Sequence, residues 1–228
     1  MSEAVRIWNG LDWSVLYGLL AAIIPSLLCI TLHELAHGWA AYKLGDNTAK
    51  ERGRLTLNPL KHIDPIGLVM MIALRFGWAK PVPVDMRNFK NPKQGMAITA
   101  LAGPLCNLLL SCALLLIYGL IFLPLSRMGG AFADFLLDTV STASYISLAL
   151  AVFNIIPIPP LDGSKVLFSL LSEESYWKLM RYERYGMYLL VLVMVTGVLR
   201  APLAGVTEFL YLRLFNIAEL AYELTLGF

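Results

Sequence analysis

Charge is scarce in this chain. Only 15% of its 228 residues are Asp, Glu, Lys or Arg, whereas 58% are hydrophobic. A soluble globular domain carries about 25% charged residues, so there are too few solvating groups to cover a surface facing water. The net charge of +2 is far from the basic footprint of a nucleic-acid binder. Cysteine is sparse too. Cys29, Cys106 and Cys112 each lie in an apolar run, and an odd set without loop pairs excludes a disulfide framework. Internal repeats and low-complexity segments are missing. No cleavable signal peptide is expected, because Asp12 precedes the first apolar run and only Arg6 is a nearby positive charge. Histidine occurs three times, and two of the three stand four residues apart.

What is present is hydrophobic length. The first run starts near Trp13, meets no charge until Glu34, and continues as a helical pattern to about Leu44. A membrane span takes about 20 residues, so this helix can cross and still protrude, with a kink at Pro25. Residues 94–126 hold no charge, giving a second span near 96–123. After a Gly-containing loop at 124–134, a third span runs over 139–156 and stops at Pro157, Pro159 and Pro160. A short helix follows Asp162. A fourth apolar run, 185–199, is short for a span. The tail 203–226 is apolar but carries Glu208, Arg213, Glu219 and Glu223, as a last membrane helix or an interfacial one would. The expected fold is an α-helical polytopic membrane protein with about four to six transmembrane helices. It forms a single domain over 1–228, with a core at 13–172 and C-terminal helices at 185–226.

Between the first two spans the pattern changes. Residues 43–65 are polar and turn-rich, with Asn58-Pro59 and Asp64-Pro65. Ile66–Leu74 is too short to span. Phe76–Val84 alternates and holds two prolines, which suits an edge strand. Residues 66–85 are therefore expected to form a short re-entrant or interfacial β element. Segment 43–93 also concentrates ten basic residues: Lys43, Lys50, Arg52, Arg54, Lys61, Arg75, Lys80, Arg87, Lys90 and Lys93. Basic loops stay on the cytoplasmic side, which puts the N-terminus and the 124–134 loop outside and Pro157–Arg184 inside.

The chemistry-bearing motif is His33-Glu34-Leu35-Ala36-His37. On a helix, residues i and i+4 share a face, so both imidazoles can reach one metal. Zinc takes such nitrogens at about 2.0–2.1 Å, and the intervening Glu is the usual general base. A helix end lifting polar groups toward water is the bland account. It meets a cost of roughly 2.5–3.5 kcal/mol for each charged group within a span, which a bound metal offsets. A catalytic zinc needs a third protein ligand. Asp162 is the best candidate, since the third span returns it to the cytoplasmic side at the depth of His33 and His37. Its alternative is a cap on the following helix.

Other candidates are weighed in the same way. Asn107, inside the second span, bonds either the substrate backbone or a neighbouring helix. His62 gates the site, binds metal transiently, or is a solvated loop histidine. Cys29, one turn before His33, reads as packing beside the site. Lys80, Val82 and Val84 lie on the expected strand, which could pair with an unfolded substrate segment. Trp39 and Tyr42 look like interface anchors.

Five pieces of the chain together resemble the site-2 protease family of intramembrane metalloproteases, in its compact form without PDZ or CBS domains. They are His33–Gly38, Leu57–Gly67, Phe76–Val84, Ala102–Asn107 and Asn154–Gly163. The resemblance implies one zinc per chain held by His33, His37 and Asp162, with Glu34 as base and Asn154 steadying the oxyanion. It implies intramembrane hydrolysis of peptide bonds in single-pass membrane proteins, at a site toward the cytoplasmic side of a prokaryotic cell membrane. The partners are then transmembrane substrates and lipid. Two rivals come from other classes: a zinc-binding transporter or channel, and an inactive scaffold that binds membrane helices. A transporter predicts polar residues strung along the other spans, and those spans have few. The intact Glu34 argues against the scaffold.

Overall fold

The structure, a computed structural model, describes residues 13–74 and 78–226. Among these residues it is nearly all helical. The helices are α1 (Trp13–Lys43), α2 (Thr48–Glu51), α3 (Pro65–Leu74), α4 (Pro92–Met128), α5 (Ala131–Asn154), α6 (Asp162–Ser169), α7 (Glu173–Thr196), α8 (Arg200–Leu214) and α9 (Asn216–Leu226).

Local chemistry sets the ends of the long helices. Asn91 accepts a hydrogen bond from the Gln94 amide and Pro92 takes the first helical position, so α4 starts there. It ends at Gly129, and Gly129 and Gly130 both adopt positive φ, which glycine does without a Cβ clash. The loop expected over 124–134 thereby shrinks to two residues, and α5 begins at Ala131 rather than near 139. Ser172 caps α7 by accepting from the Ser175 amide, and Gly197 closes it at φ +70°.

Helix α4 sits at the centre, packed against α1, α5, α6 and α9. Its seam with α5 is pinned by polar groups. Ser111 and Ser144 hydroxyls pair at 3.0 Å, and Ser147 donates to the Asn107 carbonyl at 2.8 Å. Small residues at such seams let apolar helices approach closely. Among the described residues, α4 and α5 are each long and apolar enough to cross a membrane. A third crossing arises if Tyr185–Thr196 and Arg200–Leu226, bent by 85°, count as one span. The chain is a multi-pass membrane protein.

The β element expected at 66–85 is not what forms. Pro65–Leu74 is helical, because Asp64 caps it: one carboxylate oxygen accepts from both the Ile66 and Gly67 amides at 2.9 Å, and Pro65 fills the first position. Part of the expected strand, Phe76 and Gly77, lies outside the described residues. Residues 78–84 form no strand, and the pairing there among the described residues is one isolated antiparallel bridge, Ile63 with Ala79. Pro81 and Pro83 have no N–H to give to a ladder. Helix α3 lies directly on the segment instead, at Gly67, where an added Cβ would overlap the Trp78 backbone.

A buried carboxylate ties this segment down. Asp46, just beyond α1, is fully buried and accepts from the Thr48 amide and hydroxyl, the Asp85 amide and the Asn88 side chain. Burial pushes its carboxyl up, but these bonds hold it below the ordinary value of 3.8. A depressed folded value means that stability from Asp46 is present above the unfolded value and is lost as pH falls through the folded one. An Asp46→Ala variant removes the acceptor of four part-buried hydrogen bonds. It should lose about 1–2 kcal/mol, seen as a lower melting temperature in detergent, and should lose the acid dependence with it.

Candidate metal centre

Helix α1 carries His33 and His37 on one face, and that face meets α4 and the start of α6. The His33 Nε2 lies 3.0 Å from the His37 Nε2. The Asp162 Oδ2 lies 3.1 Å from the first and 3.2 Å from the second. All three side chains are buried. They form a cluster that could hold a metal ion. Donors bound tetrahedrally at about 2.0–2.1 Å stand roughly 3.4 Å apart, so a near-equilateral triangle of 3.0–3.2 Å fits a shared ion with little adjustment. Two imidazole nitrogens and one carboxylate oxygen are also a donor set that zinc accepts.

The other ring nitrogen of each histidine faces a partner on α4. The Nδ1–H of His37 donates to the Thr99 carbonyl at 2.7 Å. The Nδ1 of His33 meets the Asn107 side-chain amide at 3.2 Å. Between the two contacts lies Gly103, where an added Cβ would overlap both imidazoles. Thr99, Gly103 and Asn107 recur every four residues, so one face of α4 mirrors the i, i+4 pair on α1. Sequence reasoning placed Asn107 on the substrate backbone or a neighbouring helix, and its side chain meets His33 of the neighbouring α1. The matched spacing on two apolar helices was the available signal.

Asp162 is the first residue of α6, yet its carboxylate makes no cap bond and turns to the histidines. Gly163 allows that turn, since a Cβ there would strike the Ile155 carbonyl. Glu34 is buried beside the cluster, and its Oε2 accepts from the Val82 amide at 2.8 Å. These groups line a cavity of about 600 Å³, together with Val84, Asn154 and Lys165, a volume in the range of ligand sites (about 300–1,000 Å³).

The remaining candidates fall in several places. Asn154 lines the cavity, but its amide donates to the Leu150 carbonyl of its own helix at 3.0 Å. Val82 and Val84 border the cavity. Lys80 has an exposed side chain and does not. Its N–H goes to the His62 carbonyl and its carbonyl accepts from Arg54. His62 is not a solvated loop residue: it is 1% exposed, and its Nε2 donates to the Thr56 carbonyl at 2.9 Å. Both bonds fix the Arg54–Lys80 crossing. Cys29 is buried against the Ala143 carbonyl. Trp39 is exposed, with Lys43 over its ring.

Comparison with known proteins follows the same lines. The profile described as "Peptidase family M50" matches residues 123–197, the stretch that contains Asn154–Gly163. YwhC of Bacillus subtilis strain 168 is 38% identical over 174 residues, covering 76% of this chain and 80% of that protein. Rip2 of Mycolicibacterium smegmatis is 30% identical, covering 76% of this chain and 66% of the relative. Rip2 of Mycobacterium tuberculosis strain H37Rv is 29% identical, over 81% of this chain and 70% of the relative. The words "zinc metalloprotease" stand in the names of all three. No solved structure matches the chain. With an identity of 38% across most of both chains, and a centre of two histidines and an aspartate beside a buried glutamate, the chain belongs to peptidase family M50, the site-2 protease family.

Proposed function

We propose that the chain hydrolyses peptide bonds within or next to the transmembrane segments of single-pass membrane proteins, with one zinc held by His33, His37 and Asp162. The observation that carries this reading is the convergence of three buried donor atoms, each within 3.2 Å of the other two, in a cavity that also holds Glu34. Bound zinc supplies a Lewis acid that polarises a carbonyl and acidifies water. Glu34 takes the proton of the attacking water and returns it to the departing amine. Its Oε2 is held by the Val82 amide, which sets the carboxylate's direction before substrate arrives. Asn154 reaches a developing oxyanion only by giving up the Leu150 carbonyl, a rotation of its own side chain. A helical substrate keeps its peptide groups in intrahelical bonds, so a few residues must unwind to enter. Val82 and Val84 border the space where such an extended segment would run.

The chain is read as one domain with four to six spans in the cell membrane. In this count α1 crosses, and so do further C-terminal segments. The basic run 43–93 supports a metal centre toward the cytoplasm, and Trp39 with Lys43 over its ring suits an interface on that side.

The test is reconstitution. Purified protein in vesicles should contain one zinc per chain and cut a single-pass substrate on the cytoplasmic side of its transmembrane segment. Chelation should abolish cleavage and added zinc should restore it. Zinc moving across the vesicle without cleavage of any substrate would instead establish a transporter.

A further inference from the structure

We propose that Asn107 is a positioning residue that sets the tautomer of His33, by accepting the Nδ1 proton on its side-chain oxygen and so presenting a bare Nε2 to the metal. The proposal rests on the reading that His33 is a zinc ligand and deepens it.

The two histidines are held differently. The partner of His37 is the Thr99 backbone carbonyl, which can only accept. It therefore fixes the proton of His37 on Nδ1 and leaves a lone pair on Nε2. The partner of His33 is a side-chain amide, whose oxygen and nitrogen exchange places when the terminal group turns by half a rotation. With the amide nitrogen facing His33 at 3.2 Å, Nδ1 must accept. The ring proton then sits on Nε2, aimed at the His37 Nε2 and the Asp162 carboxylate. That tautomer cannot ligate. With the oxygen facing His33, Nδ1 donates and all three converging atoms carry lone pairs, the arrangement zinc needs.

The hydrogen-bond count does not choose between the two orientations. Asn107 is fully buried, and its Oδ1 has no partner among the described residues. Turning the amide exchanges an unpartnered oxygen for an unpartnered amine. The metal chemistry decides. Packing keeps the group in place either way: the Asn107 backbone carbonyl is tied to Ser147 at 2.8 Å, and the residue lies one helical turn from Gly103, which packs against both rings. A buried amide within a span costs free energy unless it is bonded, and His33 is its bonded partner.

The test reads zinc affinity by chelator competition on the full chain, for wild type, His33→Ala, Asn107→Asp and Asn107→Leu. Asn107→Asp keeps an acceptor and should bind zinc within a few-fold of wild type. Asn107→Leu should lose 10- to 100-fold in affinity, the usual effect of removing the outer partner of a metal-bound histidine. An equal loss in both variants means a packing role and overturns the proposal, as does no loss in Asn107→Leu. If His33→Ala itself keeps wild-type affinity, the ligand reading fails first. A second measurement needs no variant fold. The chain has only three histidines, so a ¹⁵N-histidine spectrum of the zinc-loaded protein separates them. His33 should carry its proton on Nδ1, whereas His62, donating from Nε2 to Thr56, should show the opposite form. A His33 with its proton on Nε2 overturns the proposal.

Discussion

A Glu34→Gln variant is expected to keep one zinc per chain and to lose cleavage by about 10³-fold or more. Positioned general acid–base groups contribute about 10²–10⁴-fold, and Glu34 is assigned two transfers, from the water and to the amine. The substitution isolates that role. Glutamine has the shape of glutamate and keeps an oxygen to accept the Val82 amide, so the one bond to this carboxylate found among the described residues survives. The three converging donors belong to other residues and are untouched. Zinc content by mass spectrometry and initial rates on a transmembrane substrate decide the matter together. A variant that holds zinc and retains more than a tenth of wild-type rate removes Glu34 from the mechanism. One that loses zinc with activity makes Glu34 part of the metal site instead. A transporter would conduct zinc equally well with either residue, so transport measured in the same vesicles separates the classes.

The centre was legible in the sequence because its parts report on themselves. His33 and His37 announce a shared helical face by spacing alone, and Asp162 follows a proline stop that fixes where the preceding span ends. Both signals are local, and both sit in apolar surroundings where a polar group needs a reason. The surroundings of the centre were harder to read. The second partner of His33 lies 74 residues away on α4, and only the register of two packed helices brings it near. The helical character of Pro65–Leu74 was masked by its shortness, although Asp64-Pro65 is a helix-start signal. The alternation at 78–84 was real, but a strand needs a partner edge, and prolines at 81 and 83 deny it one. His62 illustrates the converse. Polar neighbours in sequence suggested solvent, yet the turn folds back on Thr56 and Lys80 and buries the ring. Whether a loop side chain faces water depends on tertiary closure, which neighbouring residues do not encode.

The other large effect is expected at a residue with no functional group. Gly103→Ala should reduce zinc affinity by more than 100-fold and take cleavage below detection. The added methyl would lie 2.6 Å from the His33 Cε1 and closer still to the His37 ring, well inside carbon contact distance of about 3.5–4.0 Å. Neither ring has a free direction to retreat. His37 is fixed by Thr99 on one side and the cluster on the other, and His33 is fixed between Asn107 and Asp162. Relief must come from α1 and α4 moving apart, and that separates the histidines from Asp162. Overpacking alone costs about 1–3 kcal/mol, so lost stability could imitate the result. Gly119→Ala is the control. It lies on the same helix, and its methyl would overlap the Ala218 carbonyl and stand 2.8 Å from the Ala221 Cβ on α9, an equally severe clash remote from the metal centre. Gly119→Ala should lower the melting temperature and leave zinc affinity near wild type. Gly103→Ala should lower both. If the two variants lose zinc equally, helix packing as a whole controls the site. If Gly103→Ala binds zinc normally, the α1–α4 approach is looser than the geometry requires, and the face of Thr99, Gly103 and Asn107 does not hold the histidines.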